Sequence, residues 1–261
     1  MMAACGFKLL GSPIGDRSFC CALTAKRILK NASLLQAIGD LEDPQAALLL
    51  LRSCASFGKI VFSLRTTASE LHEEALRDFD DAVRACFESF SGLHPDATQW
   101  KQAGLAMHAG GLGLRGACAH AAAAHISSLS GCHSACRELD SKYEGEATIS
   151  NSSFEKALRE FNAIVDERDR STPVAGKACR QKELSQALDR AHLRDLKAEA
   201  PAHMRAHLEL ISGEGAGAWL FAMPSEKLGL TLKANACRIS LQRRLRMAIF
   251  DAEFFVRYAM T

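Results

Sequence analysis

Apolar positions recur along this chain mostly at helical spacing and rarely with the two-residue alternation of strands. The clearest run follows Ser69, where Leu71, Leu76, Phe79, Val83, Cys86, Phe87 and Phe90 fall close to a 3.6-residue period. A helix is expected there, stopped at Gly92, since glycine readily takes the left-handed conformation that closes a helix. Upstream, Asp16 is placed to cap a helix reaching about Ile38, with Cys21, Ala25, Ile28, Ala32 and Leu35 on one stripe. Asp43-Pro44 marks another start, a capping carboxylate followed by proline at the first helical position, and this helix is expected to carry Leu48 to Leu51 towards Leu64. Pro95 to Ala103 predicts a short helix, and an Ala-rich helix is expected from about Gly116 to Leu129. Only Phe7 to Leu10, ended by a Gly/Pro turn, reads as extended.

Around Ser141 to Ser153 the chain turns polar, which predicts a boundary between residues 1–145 and 146–261. Beyond it, helices are expected over Phe154–Arg168, Ala175–Glu199, Pro201–Ile211, Ala216–Ala222 and Lys233–Met247. The predicted fold class is all-α, one or more helical bundles with a short extended N-terminal segment. Composition agrees: 48% of the 261 residues are apolar, enough for a core, and Trp and Tyr number only two each.

Ten cysteines suggest a disulfide set by count, but their context points the other way. Met1 to Leu10 has neither the apolar region nor the cleavage site of a secretory signal. Cys20 and Cys21 are adjacent on a helical pattern, and Cys54, Cys86 and Cys179 have core-type neighbours. Reduced, mostly buried thiols are expected, and with them an intracellular setting, cytoplasmic or nuclear. The longest apolar runs, such as Ala46 to Leu51, fall short of the ~20 residues of a membrane span, so no membrane association is expected.

Charge is unevenly distributed although the net charge is only +2. Residues 1–65 hold eight Lys/Arg against four Asp/Glu, residues 66–100 hold two against eight, and residues 225–261 hold seven against three. Two basic stretches around an acidic helix point either to a polyanionic partner or simply to solvated helix faces.

Four pieces of sequence in order carry a family resemblance. They are Phe7-Lys8-Leu9-Leu10-Gly11-Ser12-Pro13-Ile14-Gly15, then Asp43-Pro44 running to Arg52, then Trp100-Lys101-Gln102-Ala103 with Gly110-Gly111-Leu112-Gly113-Leu114-Arg115, and finally Gly215 to Leu220 with Met223-Pro224. Together they resemble the region beyond the catalytic palm in reverse transcriptases of non-LTR retrotransposons, where a hairpin leads into a helical thumb. The resemblance covers Gly6 to about Arg246 and implies a thumb-like domain with a remnant of the palm hairpin, followed by a C-terminal helical region. In that family the metal-binding palm carboxylates precede the hairpin. Here Met1 stands six residues before it, so the resemblance implies a non-catalytic piece without polymerase activity. Phe79-Asp80-Asp81 imitates the family's aromatic-x-Asp-Asp signature but follows the hairpin, so Asp78, Asp80 and Asp81 are expected to be surface charges. The Cys/His cluster that often follows the family's helical region has no counterpart past Arg246.

The resemblance also implies that early thumb helices meet a primer–template duplex through its backbone. Lys26, Arg27 and Lys30, expected opposite the apolar stripe of the first helix, are the leading candidates for phosphate contact, with Arg243, Arg244 and Arg246 as a second patch. The partner would be a nucleic-acid duplex, bound weakly and without regard to sequence. The alternative is a helical scaffold for a protein partner. No catalytic residue, metal ligand or cofactor is expected. Cys118, His120, His125, Cys132, His133 and Cys136 crowd into 19 residues, but their spacings differ from the paired ligands of structural zinc, so core thiols and surface histidines are expected instead. Gly110 to Arg115 lacks the Gly-Lys-Ser/Thr of a phosphate loop, and its glycines are expected to allow a tight turn or close backbone approach.

Overall fold

The computed structural model describes residues 5–145, 152–172 and 178–249. The protein is predominantly helical, with a two-stranded hairpin at the start. Strands β1 (Gly6–Leu9) and β2 (Ser12–Gly15) pair antiparallel, Phe7 opposite Ile14 and Lys8 opposite Pro13. Leu10 and Gly11 both take positive φ, 46° and 92°, the two-residue turn that matches strand twist. Asp16 then joins hairpin to helix: its carboxylate accepts from Phe19 N at 2.8 Å, capping α1 (Arg17–Gly39), and from Cys5 N at 2.9 Å.

The buried face of α1 is rotated from the expected stripe. Cys20, Thr24, Asn31, Leu35 and Ile38 face inward, while Ala32 is exposed and Cys21, Ala25 and Ile28 lie at the margin. Apolar spacing alone misplaces the stripe because two of the inner residues are polar and satisfied. Thr24 Oγ1 lies 3.1 Å from His72 Nδ1, and Asn31 Nδ2 donates to Ala55 O at 2.8 Å. That carbonyl needs an outside partner because the chain breaks just after it. Helix α2 (Pro44–Leu50), capped by Asp43, passes through a π turn at Leu51–Ala55 and restarts beyond Ser56 as α3 (Phe57–Thr66). Joined end to end, Pro44–Thr66 is long and apolar enough to cross a bilayer by length and composition, contrary to the expectation from short runs. Of its most apolar window, 44% is buried within the fold, and Ser56 interrupts it.

Helix α4 (Glu73–Ser91) buries Leu76, Phe79, Val83, Cys86, Phe87 and Phe90 as the period predicts, and Gly92 ends it at φ 66°. Helix α5 (Ala97–Gly104) opens with a reciprocal capping box between Asp96 and Gln99. The glycine-rich turn follows: Gly110 and Gly113 have positive φ, and a Cβ on Gly111 would stand 2.0 Å from Leu105 O. Close approach is what the turn needs, since Leu112 and Leu114 N–H both reach Ala103 O. Helix α6 (Ala117–Leu139) runs ten residues past its expected end.

Helices α7 (Ser153–Ile164), α8 (Gln181–Glu199), α9 (Ala202–Ile211) and α10 (Ala234–Arg244) complete the fold; α7 begins one residue before its expected span, the other three lie within theirs, and the helix expected over Ala216–Ala222 is only a short 3-10 turn at Ala218–Phe221. The expected boundary at 145/146 falls in the α6–α7 connection, whose residues 146–151 lie outside the described residues. It does not separate two cores. Leu220, Cys237, Leu241 and Leu245 pack with Leu51, Phe79 and Phe87, and Ile126 of α6 packs with Phe154, Phe161 and Leu188. Polar clamps reinforce the join: Gln45 bonds Leu230 O and Leu232 N, and Arg52 donates to Leu220 O at 2.7 Å.

Asp80 departs from its expected role as a surface charge. Its carboxylate accepts from Ala117 N at 2.6 Å and Cys118 N at 3.0 Å, capping α6 from the neighbouring α4 because Gly116 has no side chain to do so. Burial pushes its pKa up, and the two amide donors pull against that. Asp80→Ala is expected to destabilise the fold by about 1–2 kcal/mol, the usual range for a lost cap, measurable as a lower urea midpoint at unchanged m. An unchanged midpoint would show that the α6 terminus needs no partner.

Candidate nucleic-acid interface

The basic residues of α1 occupy one flank of the helix. At ~100° per residue, Lys26, Arg27 and Lys30 fall within roughly 100° of arc, with Arg27 nearest the core. Lys26 and Lys30 are exposed, and neither makes an ion pair among the described residues. Arg27 is not opposite the buried face, as expected, but at its edge. It is half-buried, its Nη1 donates to Ser63 Oγ at 2.6 Å, and its guanidinium lies over the Phe62 ring, 5.2 Å from the centroid. Burial lowers its pKa, although a guanidinium stays charged. The hairpin turn completes this side, with Gly11 packed near Phe62 and Arg27. The acidic helix α4 lies across the other flank of α1, where Cys86 Sγ reaches Leu35 O and Ser89 Oγ reaches Gly39 O.

The second predicted patch does not form as a unit. Arg243 is exposed, but Arg244 is buried, 4% exposed. Arg244 Nε donates to Gly111 O at 3.0 Å, Nη1 to Ala216 O at 3.2 Å and Nη2 to Met107 O at 2.5 Å. Buried and bonded to three backbone carbonyls, its fork is not presented to a phosphate. Arg246 is half-buried, with φ 61° and its Nε on Gln102 Oε1 at 2.8 Å. The sequence shows three arginines in four residues, which reads as a patch. Only the distant glycine-rich turn reveals that Arg244 is a structural tie.

The Cys/His crowd on α6 also resolves differently from the expected surface histidines. His120 and His125 are buried, 2% and 5% exposed. His125 Nε2 lies 3.0 Å from Ser153 Oγ, and burial with the nearby Asp80 charge pushes the Cys118 thiol up to about 12. Among the described residues no three His, Cys, Asp or Glu side chains converge as ligands. Cys20, Cys86 and Cys237 are buried, whereas Cys54, expected in the core, is exposed. Circular dichroism is expected to be unchanged by a strong chelator. Loss of helix with release of about one zinc per chain would contradict this, since a structural site contributes on the order of 10 kcal/mol.

Buried polar residues that the sequence pattern did not single out include His72, fully buried between α1 and α6. Burial, the neighbouring His125 and Arg27 lower its pKa to about 4. No period or spacing marks such a residue, because its partner Thr24 lies 48 positions away.

Comparison with protein-family models, characterised proteins and solved structures finds no match to this chain.

Proposed function

We propose that the chain is thumb-like in the sense of non-LTR retrotransposon reverse transcriptases and contributes sequence-independent contact with a nucleic-acid duplex, without polymerase chemistry of its own. The observation that carries this reading is the flank of α1. Lys26 and Lys30 stand exposed and without ion-pair partners among the described residues, beside an Arg27 held in place by Phe62 and Ser63. Point charges on a rigid helix neutralise phosphates without reading base edges. Two exposed lysines and one partly committed arginine support few contacts, so affinity is expected near the nonspecific range of ~10⁻⁴ to 10⁻⁶ M. Fluorescence anisotropy with two duplexes of unrelated sequence tests this. Both should bind equally at low salt and lose affinity steeply as salt rises. A preference for one duplex, or binding indifferent to salt, would end the reading.

A second reading has its own observation in the hairpin. Leu10 is 94% exposed at the turn, flanked by exposed Phe7 and Leu9, an apolar tip suited to a protein partner. On that reading Leu10→Asp abolishes association with the partner and leaves duplex binding intact.

A further inference from the structure

An open groove follows the seam between α1 and α4. The two helices run parallel there, tied by Cys86 Sγ to Leu35 O and by Ser89 Oγ to Gly39 O. Those ties put Lys26 and Lys30 of α1 at the height of residues 76–81 of α4. The groove is floored by small apolar residues, Ala25 and Ala75 towards one end, Ala32 and Ala82 towards the other. Beside it on α1, Ser18, Ala22, Ala25, Leu29, Ala32 and Gln36 alternate at spacings of four and three, the seam of a helix that pairs side by side with another. Leu29 is the one large apolar residue on this seam and stands 73% exposed at its middle.

The two edges of the face carry opposite charge. Lys26 and Lys30 lie roughly 60° and 100° of arc round α1 from Leu29, on the side away from α4. On the α4 edge Glu74, Asp78 and Asp81 are exposed, and none of them has an ion-pair partner among the described residues. A basic edge, an apolar seam and an acidic edge are complementary to themselves about a two-fold axis parallel to the helices. Each basic edge then meets the acidic edge of the other copy at the same height. An axis across the helices would set like charges against one another. The face is about 30 Å long and about 20 Å wide, so pairing would cover about 600 Å² on each copy, the lower end of stable interfaces.

We propose that this face pairs with a second copy of the chain. Helix α1 lies parallel to its counterpart, Leu29 meets Leu29, and Lys26 and Lys30 face Asp78 and Asp81 of the other copy. Pairing covers the two lysines, so a second copy and a duplex compete for the α1 flank. The pairing itself does not depend on the duplex reading.

Sedimentation equilibrium of the full chain, freed of nucleic acid, tests the proposal. A dimer is expected with a Kd on the order of 10 µM, weakening as salt rises. Lys26→Glu/Lys30→Glu and Asp78→Lys/Asp81→Lys each set like charges across the interface and should raise the Kd by about tenfold or more. All four positions are exposed, so helix content should stay unchanged. Combining the four substitutions in one chain restores opposite charges at the wild-type net charge and should return the Kd to within about threefold of wild type. An equimolar mixture of the two double variants should dimerise by the same complementarity, which checks the result without the fourfold chain. Leu29→Glu should leave a monomer. A chain that stays monomeric up to about 200 µM, a Kd unmoved by Leu29→Glu or by either double variant, or no recovery in both the fourfold chain and the mixture would each overturn the proposal.

Discussion

Arg244→Met is expected to be among the most destabilising single substitutions in this protein, lowering stability by at least ~3 kcal/mol. Methionine fills much of the space but removes three hydrogen bonds from a charged donor, leaving the carbonyls of Gly111 and Ala216 without donors and Met107 O with only its 3.3 Å bond from Gly110 N, at about 1–3 kcal/mol for each bond lost. Arg244→Lys is expected to recover less than half of the loss. An ammonium on a flexible stem cannot serve three carbonyls that a planar fork reaches together. The arginine also sets how close the chain can come. A Cβ on Gly217 would stand 3.2 Å from its Nη2 and 2.8 Å from Met107 O, so the turn and the guanidinium are fitted to one another. Against a total of about 5–15 kcal/mol for an ordinary domain, this variant should melt far below the parent or fail to accumulate. Wild-type stability in Arg244→Met would mean that the glycine-rich turn is held by packing alone.

Acid is expected to destabilise the protein well above the range in which carboxylates protonate. His72 is held to about 4 and His120 to about 3, both chiefly by burial, against an unfolded value near 6.5. A depressed histidine pKa means that the folded state favours the neutral ring. Its contribution is therefore fully present above pH 6.5 and is lost as pH falls towards the folded values. Each group costs about 3 kcal/mol by pH 4, at 1.36 kcal/mol per pKa unit. Asp80, whose pKa is raised, works weakly in the opposite sense and gains as pH falls. Urea unfolding between pH 7 and pH 4 should show a slope of at least two protons per molecule below pH 6, with His125 and His192, also depressed by burial, adding to it. His120→Gln should remove about one of them. A flat profile through this interval would show that both rings find partners when charged.

What was legible in the sequence was local. Asp16 and Asp43-Pro44 act on N–H groups two or three residues away, and Gly92 acts on its own φ. The α4 stripe was legible because all of its inner residues are apolar. The α1 stripe was not, because Thr24 and Asn31 are inner residues whose partners His72 and Ala55 lie 48 and 24 positions away. Asp80, Arg244 and His120 were misread for the same reason. Their burial follows from helix termini and turns that tertiary packing brings to them, and a polar residue with a distant partner looks like surface from sequence alone. In the candidate interface, Lys26 and Lys30 stand exposed as expected, Arg27 stands at the edge of the core, and the C-terminal trio divides.

The most direct test compares two double variants of equal charge in duplex binding across a salt series. Lys26→Ala/Lys30→Ala removes the α1 flank, while Lys227→Ala/Lys233→Ala removes the same charge elsewhere. The account predicts that the first weakens binding to every duplex and reduces the salt slope by about two, and that the second leaves both nearly unchanged. Equal effects from the two variants would contradict it, because binding would then follow net charge and no particular surface of the helical fold.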